Sequence, residues 1–240
     1  MIVFNGATAI DCVLLARGGS KGIPNKNIID FCGKPLIAWS ILQARSCPLV
    51  NHVWVSSDSE NILEIGAEFG AKAIKRPAQL SGDGATSESG WIHAIDVISK
   101  TDGSEPSAIL APQITSPLRS PLDFETAINK FHSEKLDTLM SVTEVRDFFT
   151  WRKSQDNLNY IANYDYENRL RRQSLEPSFL ENGSFYVFQT KHLMKSQNRL
   201  GGNIGVFEMP HYKSFQIDEI SDIELCSIIM KGYGLDLLGQ

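Results

Sequence analysis

The chain has little cysteine for its length, and the four it has are scattered: Cys12, Cys32, Cys47 and Cys226 fall nowhere at C-x-x-C spacing. Neither a zinc-ribbon site nor a disulfide framework follows from such spacing, and a reducing cytoplasm is the expected setting. Positive charge is not in excess either. A formal net charge of -5 argues against a nucleic-acid partner, since binding along a phosphate backbone needs a broad basic face. No apolar run approaches the roughly 18 residues of a membrane span, and the apolar opening MIVFNGATAI lacks a basic flank, so no membrane partner is expected. Internal repeats and low-complexity tracts are absent. No Ser-His-Asp or Cys-His order suggests a covalent nucleophile, and His93, between Trp91 and Ile95, reads as a packing or surface residue.

What remains is the vocabulary of an α/β domain. Short apolar, β-branched runs at Cys12 to Ala16, His52 to Ser57, Ala71 to Lys75 and Ser107 to Ala111 read as buried strands. Segments with helical spacing alternate with them. One opens at Pro35, one lies between Ser59 as N-cap and Gly70 as stop, and one covers SESGWIHAIDVIS. Such alternation predicts a mostly parallel sheet flanked by helices, with ligands bound at the carboxyl ends of its strands. GSFYVFQ reads as a later strand, and a last helix is expected to start at Ser221 and stop near Gly232. Between Thr143 and Glu181 the pattern breaks into aromatics mixed with charges. This stretch reads as an antiparallel insertion, dividing the chain into a nucleotide-binding core over 1–142, the insertion over 143–181 and a return to the core over 182–240. Phe148, Phe149, Trp151, Tyr160, Tyr164 and Tyr166 within it suggest an interface.

The loop LLARGGSKGIPNKN follows the first expected strand. Its glycines let backbone N–H groups approach a ligand, and Arg17, Lys21 and Lys26 supply charge for a phosphorylated one. A solvated basic turn would carry the same residues. The order of its glycines excludes a Walker A loop and a G-x-G-x-x-G fingerprint. Arg171 and Arg172 form a second basic site in the insertion. In SFQIDEISDIEL, Asp218 is placed at the end of an expected strand, where a carboxylate can hold Mg²⁺ or serve structure alone, and Asp222 suits the dipole of the last helix.

Taken in order, LLARGGSKGIPNKNI, VSSDSE, RPAQLSGDGATSESG, QITSPLR, RRQ and LENGSFYVF resemble the acylneuraminate cytidylyltransferases, from Cys12 to about Met230. The resemblance implies a nucleotide-diphospho-sugar transferase-like fold with a dimerisation insertion, so that the partners would be CTP, a nine-carbon sugar acid and a second copy of the chain. It also implies transfer of CMP from CTP to the anomeric hydroxyl of N-acylneuraminate or a related nonulosonic acid, with Mg²⁺ or Mn²⁺ as cofactor. By that resemblance Leu15 and Ala16 lie near the cytosine, Arg17, Ser20, Lys21 and Lys26 face the triphosphate, and Asn27 closes the loop. Arg76, Ala85 and Ser87 match positions around the nucleotide, Gln113 a position on the sugar acid, and Arg172, beside Gln173, an arginine near its carboxylate. Arg17, Lys21 and Asp218 would carry catalysis, with Asp218 as metal ligand. Two departures stand out. Gln216 occupies the place of the first of two metal-associated aspartates, and Leu180 the place of a sugar-contacting arginine of some bacterial members. Both leave open a different acidic sugar, such as a legionaminic or deaminated nonulosonic acid, and Gln216 also leaves open a nucleotide-binding regulator without turnover.

Overall fold

A computed structural model describes residues 3–4, 7–19, 22–147, 149–156 and 158–237. Its centre is a seven-stranded sheet. The strands are β1 (Ile10–Leu15), β2 (Val50–Ser57), β3 (Lys72–Lys75), β4 (Ala108–Pro112), β5 (Thr138–Val145), β6 (Ser178–Gln189) and β7 (Ile204–Glu208), in the spatial order β7-β5-β6-β4-β1-β2-β3. All neighbours run parallel except β6, which is antiparallel to both β4 and β5.

The helices are α1 (Leu36–Arg45), α2 (Glu60–Glu68), α3 (Ser87–Asp102), α4 (Pro121–Ser133), α5 (Thr190–Ser196) and α6 (Ile220–Gly232). Alternation along β1 sorts them into two layers, because successive side chains point to opposite faces. Ile10, Cys12 and Leu14 belong to the core that Ile37 and Ile41 of α1, Ile62 of α2, Phe124 and Ile128 of α4 and Met230 of α6 complete. Val13 points the other way, into the smaller core of Trp54, Ile109 and Phe188 with Trp91 and Ile95 of α3 and Leu193 of α5. The result is a three-layer α/β/α sandwich with a mostly parallel sheet, as the alternation of the sequence predicts.

Local details differ from that reading. Pro35 stands just before α1 as its N-cap; Ser59 is the N-cap of α2, as expected, but its side chain makes no cap bond. Asp218 does not end a strand: it lies in a bend between a 3-10 turn and α6. Nor does Ser221 start that last helix. Glu219 is its N-cap, in a capping box whose other half is Asp222. The helix α4 and the strands β5 and β7 were not anticipated.

Thr143 to Val145 and Ser178 to Glu181 lie in β5 and β6 and pair across the sheet. Beyond them Trp151–Lys153 and Tyr160–Ala162 form a two-stranded antiparallel hairpin. Trp151 stands 6.0 Å from Tyr164 and 5.4 Å from Tyr166, and Phe149 lies 4.2 Å from Tyr164. Phe148 is outside the described residues.

Candidate active site

The loop after β1 opens at the carboxyl end of the sheet, where a cleft of about 420 Å³ is bounded by Leu15, Arg17, Gly22, Lys26 and Asn27 on one side and by Arg76, Ala85 and Ser87 on the other. Sequence reasoning named all of these except Gly22 as individual ligand-facing positions, and folding brings them to one rim. Ala16 is fully buried beneath it. Ser20 and Lys21 fall outside the described residues.

Each wall has a local cause. Asn27 donates from Nδ2 to the Arg17 carbonyl at 3.0 Å, which folds the loop back on itself. Asp58, just past β2, accepts the Gly18 N–H at 2.9 Å and pins the loop's glycine turn to the neighbouring strand. Arg17 reaches across the cleft to Asp83 at 3.0 Å, a pair open to solvent on both sides and worth only about 0–1 kcal/mol, so an incoming anion can compete for it. Arg76 is different. It exposes 5% of its surface, and its Nε donates to Ser81 Oγ at 2.9 Å rather than to a carboxylate. Burial pulls the Arg76 guanidinium below its ordinary range, which Asp58 partly offsets and Arg17 reinforces. Two neighbouring cations with one of them sunk into the wall make the cleft a place where negative charge is favoured.

At the far end of the cleft Lys26 donates to Asp218 Oδ1 at 2.9 Å and to the Ile217 carbonyl at 3.1 Å. The loop and the Asp218 bend press together there, since a Cβ on Gly22 would come within 2.9 Å of the Asp218 carbonyl. Glycine is required at 22 by that approach. Asp222 Oδ2 accepts the backbone N–H groups of Asp218 and Glu219 at 2.9 and 2.8 Å, and these bonds hold its carboxyl below the usual range. Asp222 is thus occupied as a helix cap, whereas Asp218 pairs with Lys26 of the cleft's basic loop.

Beside Asp218 the chain gathers a set of neutral polar groups. Gln113 leaves the end of β4 with its N–H donated to the Ser184 carbonyl at 2.9 Å, and Ile217 donates to the Thr115 carbonyl at 2.8 Å. Gln216 Nε2 donates to the Asn182 carbonyl at 2.9 Å. Gly183, at φ +64°, sits where a Cβ would be 2.7 Å from Gln216 Nε2 and 3.3 Å from Gln113 Oε1, so only glycine lets these two amides converge. Asn182 is buried, and its Oδ1 accepts from both Ser141 Oγ and the Ser184 N–H. Those two donors fix the orientation of the amide, and its Nδ2 is a buried donor with no protein partner.

Sequence reasoning passed over the residue that holds this polar set in place. Arg119 is fully buried, and its Nη1 donates to the carbonyls of Gln113, Ser116 and Ser184 at 3.1, 2.5 and 2.9 Å, while Nη2 reaches Ser40 Oγ at 2.5 Å. Burial lowers its pKa to about 9, which still leaves it charged at neutral pH. The QITSPLR motif ends on this arginine, but the motif alone does not show that its side chain turns inward.

Arg172 and Gln173 do not line the nucleotide-sized cleft. They form a 3-10 turn in the insertion, where Arg172 lies 3.7 Å from Asp147 and borders a separate hollow of about 340 Å³ with Glu144, Arg146 and His211.

A loop rich in glycine and cations at the carboxyl ends of parallel strands, with a polar amide cluster near it, is an arrangement that can receive an anionic ligand. The family model described as Cytidylyltransferase matches residues 12–231. The chain belongs to that family. This cytidylyltransferase is 31% identical over 222 residues to a pseudaminic acid cytidylyltransferase of Campylobacter jejuni subsp. jejuni serotype O:23/36 (strain 81-176), covering 92% of this chain and 95% of the relative. It is 36% identical over 214 residues to N-acylneuraminate cytidylyltransferase A of Danio rerio, covering 87% of this chain and 48% of the relative, so it spans about half of that longer protein. Among solved structures, CMP:2-keto-3-deoxy-manno-octonic acid synthetase complexed with CTP matches with a TM-score of 0.68 over 94% of this cytidylyltransferase and 100% of that chain. At 18% identity the likeness is one of fold.

Proposed function

We propose that this cytidylyltransferase transfers CMP from CTP to the anomeric hydroxyl of a nine-carbon nonulosonic acid, N-acylneuraminate or a close relative of it, releasing pyrophosphate. The observation that carries the reading is the convergence of Lys26, Asp218, Gln216, Gly183 and Gln113 at one end of the cleft that Arg17 and Arg76 make electropositive. Such a layout sets a triphosphate against a polyhydroxylated acid. The relatives named for sialic and pseudaminic acids support the sugar class.

In this reading the base contacts the Leu15 and Ala85 end of the cleft, Arg17, Lys21 and Lys26 neutralise the triphosphate, and the Ser20 hydroxyl hydrogen-bonds to it. Gln113 and the Asn182 amide orient the sugar. The hydroxyl attacks the α-phosphorus as the bond to pyrophosphate breaks, so the chain's main tasks are alignment and charge stabilisation. Asp218 suits a divalent metal that arrives with the nucleotide, because one carboxylate plus substrate phosphates is the usual Mg²⁺ donor set. Bound there, Mg²⁺ would offset the charge that grows on the leaving pyrophosphate.

The insertion is the dimerisation element in this reading. Trp151, Tyr160, Ile161 and Tyr166 are exposed on or beside a hairpin that, among the described residues, pairs only with itself, and an isolated two-stranded hairpin is marginally stable in water. Packing against a second copy would cover it and bring Arg172 of one copy toward the sugar end of the other. Work in a reducing cytoplasm accords with four free cysteines, of which Cys12, Cys47 and Cys226 are buried.

Pyrophosphate release from CTP and a panel of nonulosonic acids, sialic, legionaminic, deaminated and pseudaminic, tests the assignment. Turnover with at least one is expected. Binding of CTP with no turnover on any of them would instead identify a nucleotide-binding regulator.

A further inference from the structure

At the rim opposite the cleft, the amino ends of β1 and β2 meet the last turn of α3. Asp11 lies near the start of β1, His52 near the start of β2, and Asp102 closes α3. Strands rise about 3.3 Å per residue, so the four steps from Asp11 to Leu15 put these side chains roughly 13 Å from the nucleotide cleft. They belong to no part of the proposed nucleotide site.

The spacing within the trio is informative. His52 Nδ1 stands 3.6 Å from Asp11 Oδ1 and 3.8 Å from Asp102 Oδ2. A direct N–H···O bond spans about 2.7–3.2 Å, so the ring nitrogen bonds neither carboxylate. Ligands held at about 2.0–2.1 Å around a tetrahedral zinc are roughly 3.4 Å apart, close to the separations seen. One donor atom from each of the three residues lies within 4.8 Å of the others.

Outer contacts orient two of the donors. Asp11 Oδ1 also accepts the His52 backbone N–H at 3.2 Å, and Lys72 engages the other oxygen of Asp102 at 3.4 Å, which leaves Oδ2 turned to the histidine. Asp11 exposes only 7% of its surface. A hollow of about 360 Å³ opens on the trio, with Thr8 and Ser104 on its walls, and leaves room for water as a further ligand.

We propose that Asp11, His52 and Asp102 form a second divalent-metal site, of the zinc class, that ties the end of α3 to the sheet. One imidazole nitrogen with two carboxylates favours Zn²⁺ or a similar transition ion over Mg²⁺, which prefers all-oxygen shells. The metal clamps the helix whose opposite end carries Ser87 on the nucleotide cleft.

The test uses the metal alone. Metal-free protein without CTP is titrated with ZnCl₂ by calorimetry, and with Co²⁺ as a spectroscopic probe of coordination. Wild type is expected to bind one equivalent with visible four-coordinate Co²⁺ bands and to gain thermal stability. His52→Ala and Asp102→Asn are each expected to lose that equivalent, whereas Asp218→Asn keeps it. CTP turnover without zinc checks that the two variants are folded, and if one is not, the other decides. Absence of stoichiometric binding by wild type, or an unchanged equivalent in a folded His52→Ala or Asp102→Asn chain, overturns the site.

Discussion

Lys26 and Asp218, 192 positions apart in the chain, meet at 2.9 Å, and the same ammonium group takes the Ile217 carbonyl at 3.1 Å. The contact joins the glycine-rich loop to the bend before α6 and so closes the cleft at its polar end.

Asp218→Asn keeps the shape and removes the charge that would hold a metal. Turnover is expected to fall at least about tenfold, equivalent to roughly 1.4 kcal/mol, with a steeper Mg²⁺ dependence. A Mg²⁺ titration at saturating CTP checks it, and undiminished turnover at limiting Mg²⁺ returns Asp218 to a structural role. Gln216→Asp should tighten the metal, but it also removes the donor to the Asn182 carbonyl, and leaving that group unpaired is expected to cost about 1–3 kcal/mol of stability in denaturant titrations.

Lys26→Met tests the loop. Loss of a charge-assisted contact to phosphate of about 1.5–3 kcal/mol predicts a fall in kcat/KM for CTP of roughly 10- to 100-fold. Far-ultraviolet circular dichroism should be unchanged. Equal efficiency of a folded variant would remove Lys26 from the triphosphate site.

Arg119→Met strips buried carbonyls of Gln113, Ser116 and Ser184 of a donor while retaining side-chain bulk. A cost of about 3 kcal/mol is expected, which for a chain of this size is a drop in melting temperature of roughly 6–12 °C. Arg119→Lys should recover part of it. Calorimetric melting decides, and a shift under about 2 °C would show that the network is dispensable.

The Asp222 cap makes α6 sensitive to acid. Backbone N–H groups of Glu219 and Asp218 hold its carboxyl below the ordinary carboxylate range, so the folded state favours its ionised form. With a folded pKa below the unfolded one, the stabilisation is fully present above the unfolded value and is lost as pH falls through the folded one. The group is exposed, so the effect is small, about 0.3–1 kcal/mol. Asp222→Ala should therefore destabilise the protein at pH 7 and progressively less as pH falls below the ordinary carboxylate range, as read from urea midpoints along an acid series.

If the hairpin makes the dimer, Trp151→Ser combined with Tyr166→Ser is expected to yield a monomer in sedimentation analysis. Activity should fall with it, since Arg172 would no longer reach the other copy's sugar end. A wild-type chain that is monomeric at micromolar concentration and fully active would rule the interface out.

The sequence by itself determined the layering and the place of the glycine-rich rim. Alternating apolar strands and helices leave few ways to bury both faces of a sheet, and a glycine-rich loop after the first strand can only emerge at that strand's carboxyl end. Leu15, Arg17, Lys26 and Asn27 are close along the chain, so their grouping was legible from spacing. The other half of the site was not. Arg76 is drawn under the rim, Gln113 meets Gln216 across Gly183, and Asp218 meets Lys26 only once the antiparallel β6 is inserted beside β4 and the last segment is folded back. A strand of reversed direction leaves no mark in hydrophobic periodicity, because the pleat alternates the same way in either direction. Whether an arginine such as Arg119 turns inward depends on carbonyls contributed by Ser184, 65 residues away, and on the buried hydroxyl of Ser40. For the same reason the Asp11, His52 and Asp102 trio is invisible in the sequence: three ordinary surface-type residues become neighbours only because parallel strands bring their amino ends to one rim.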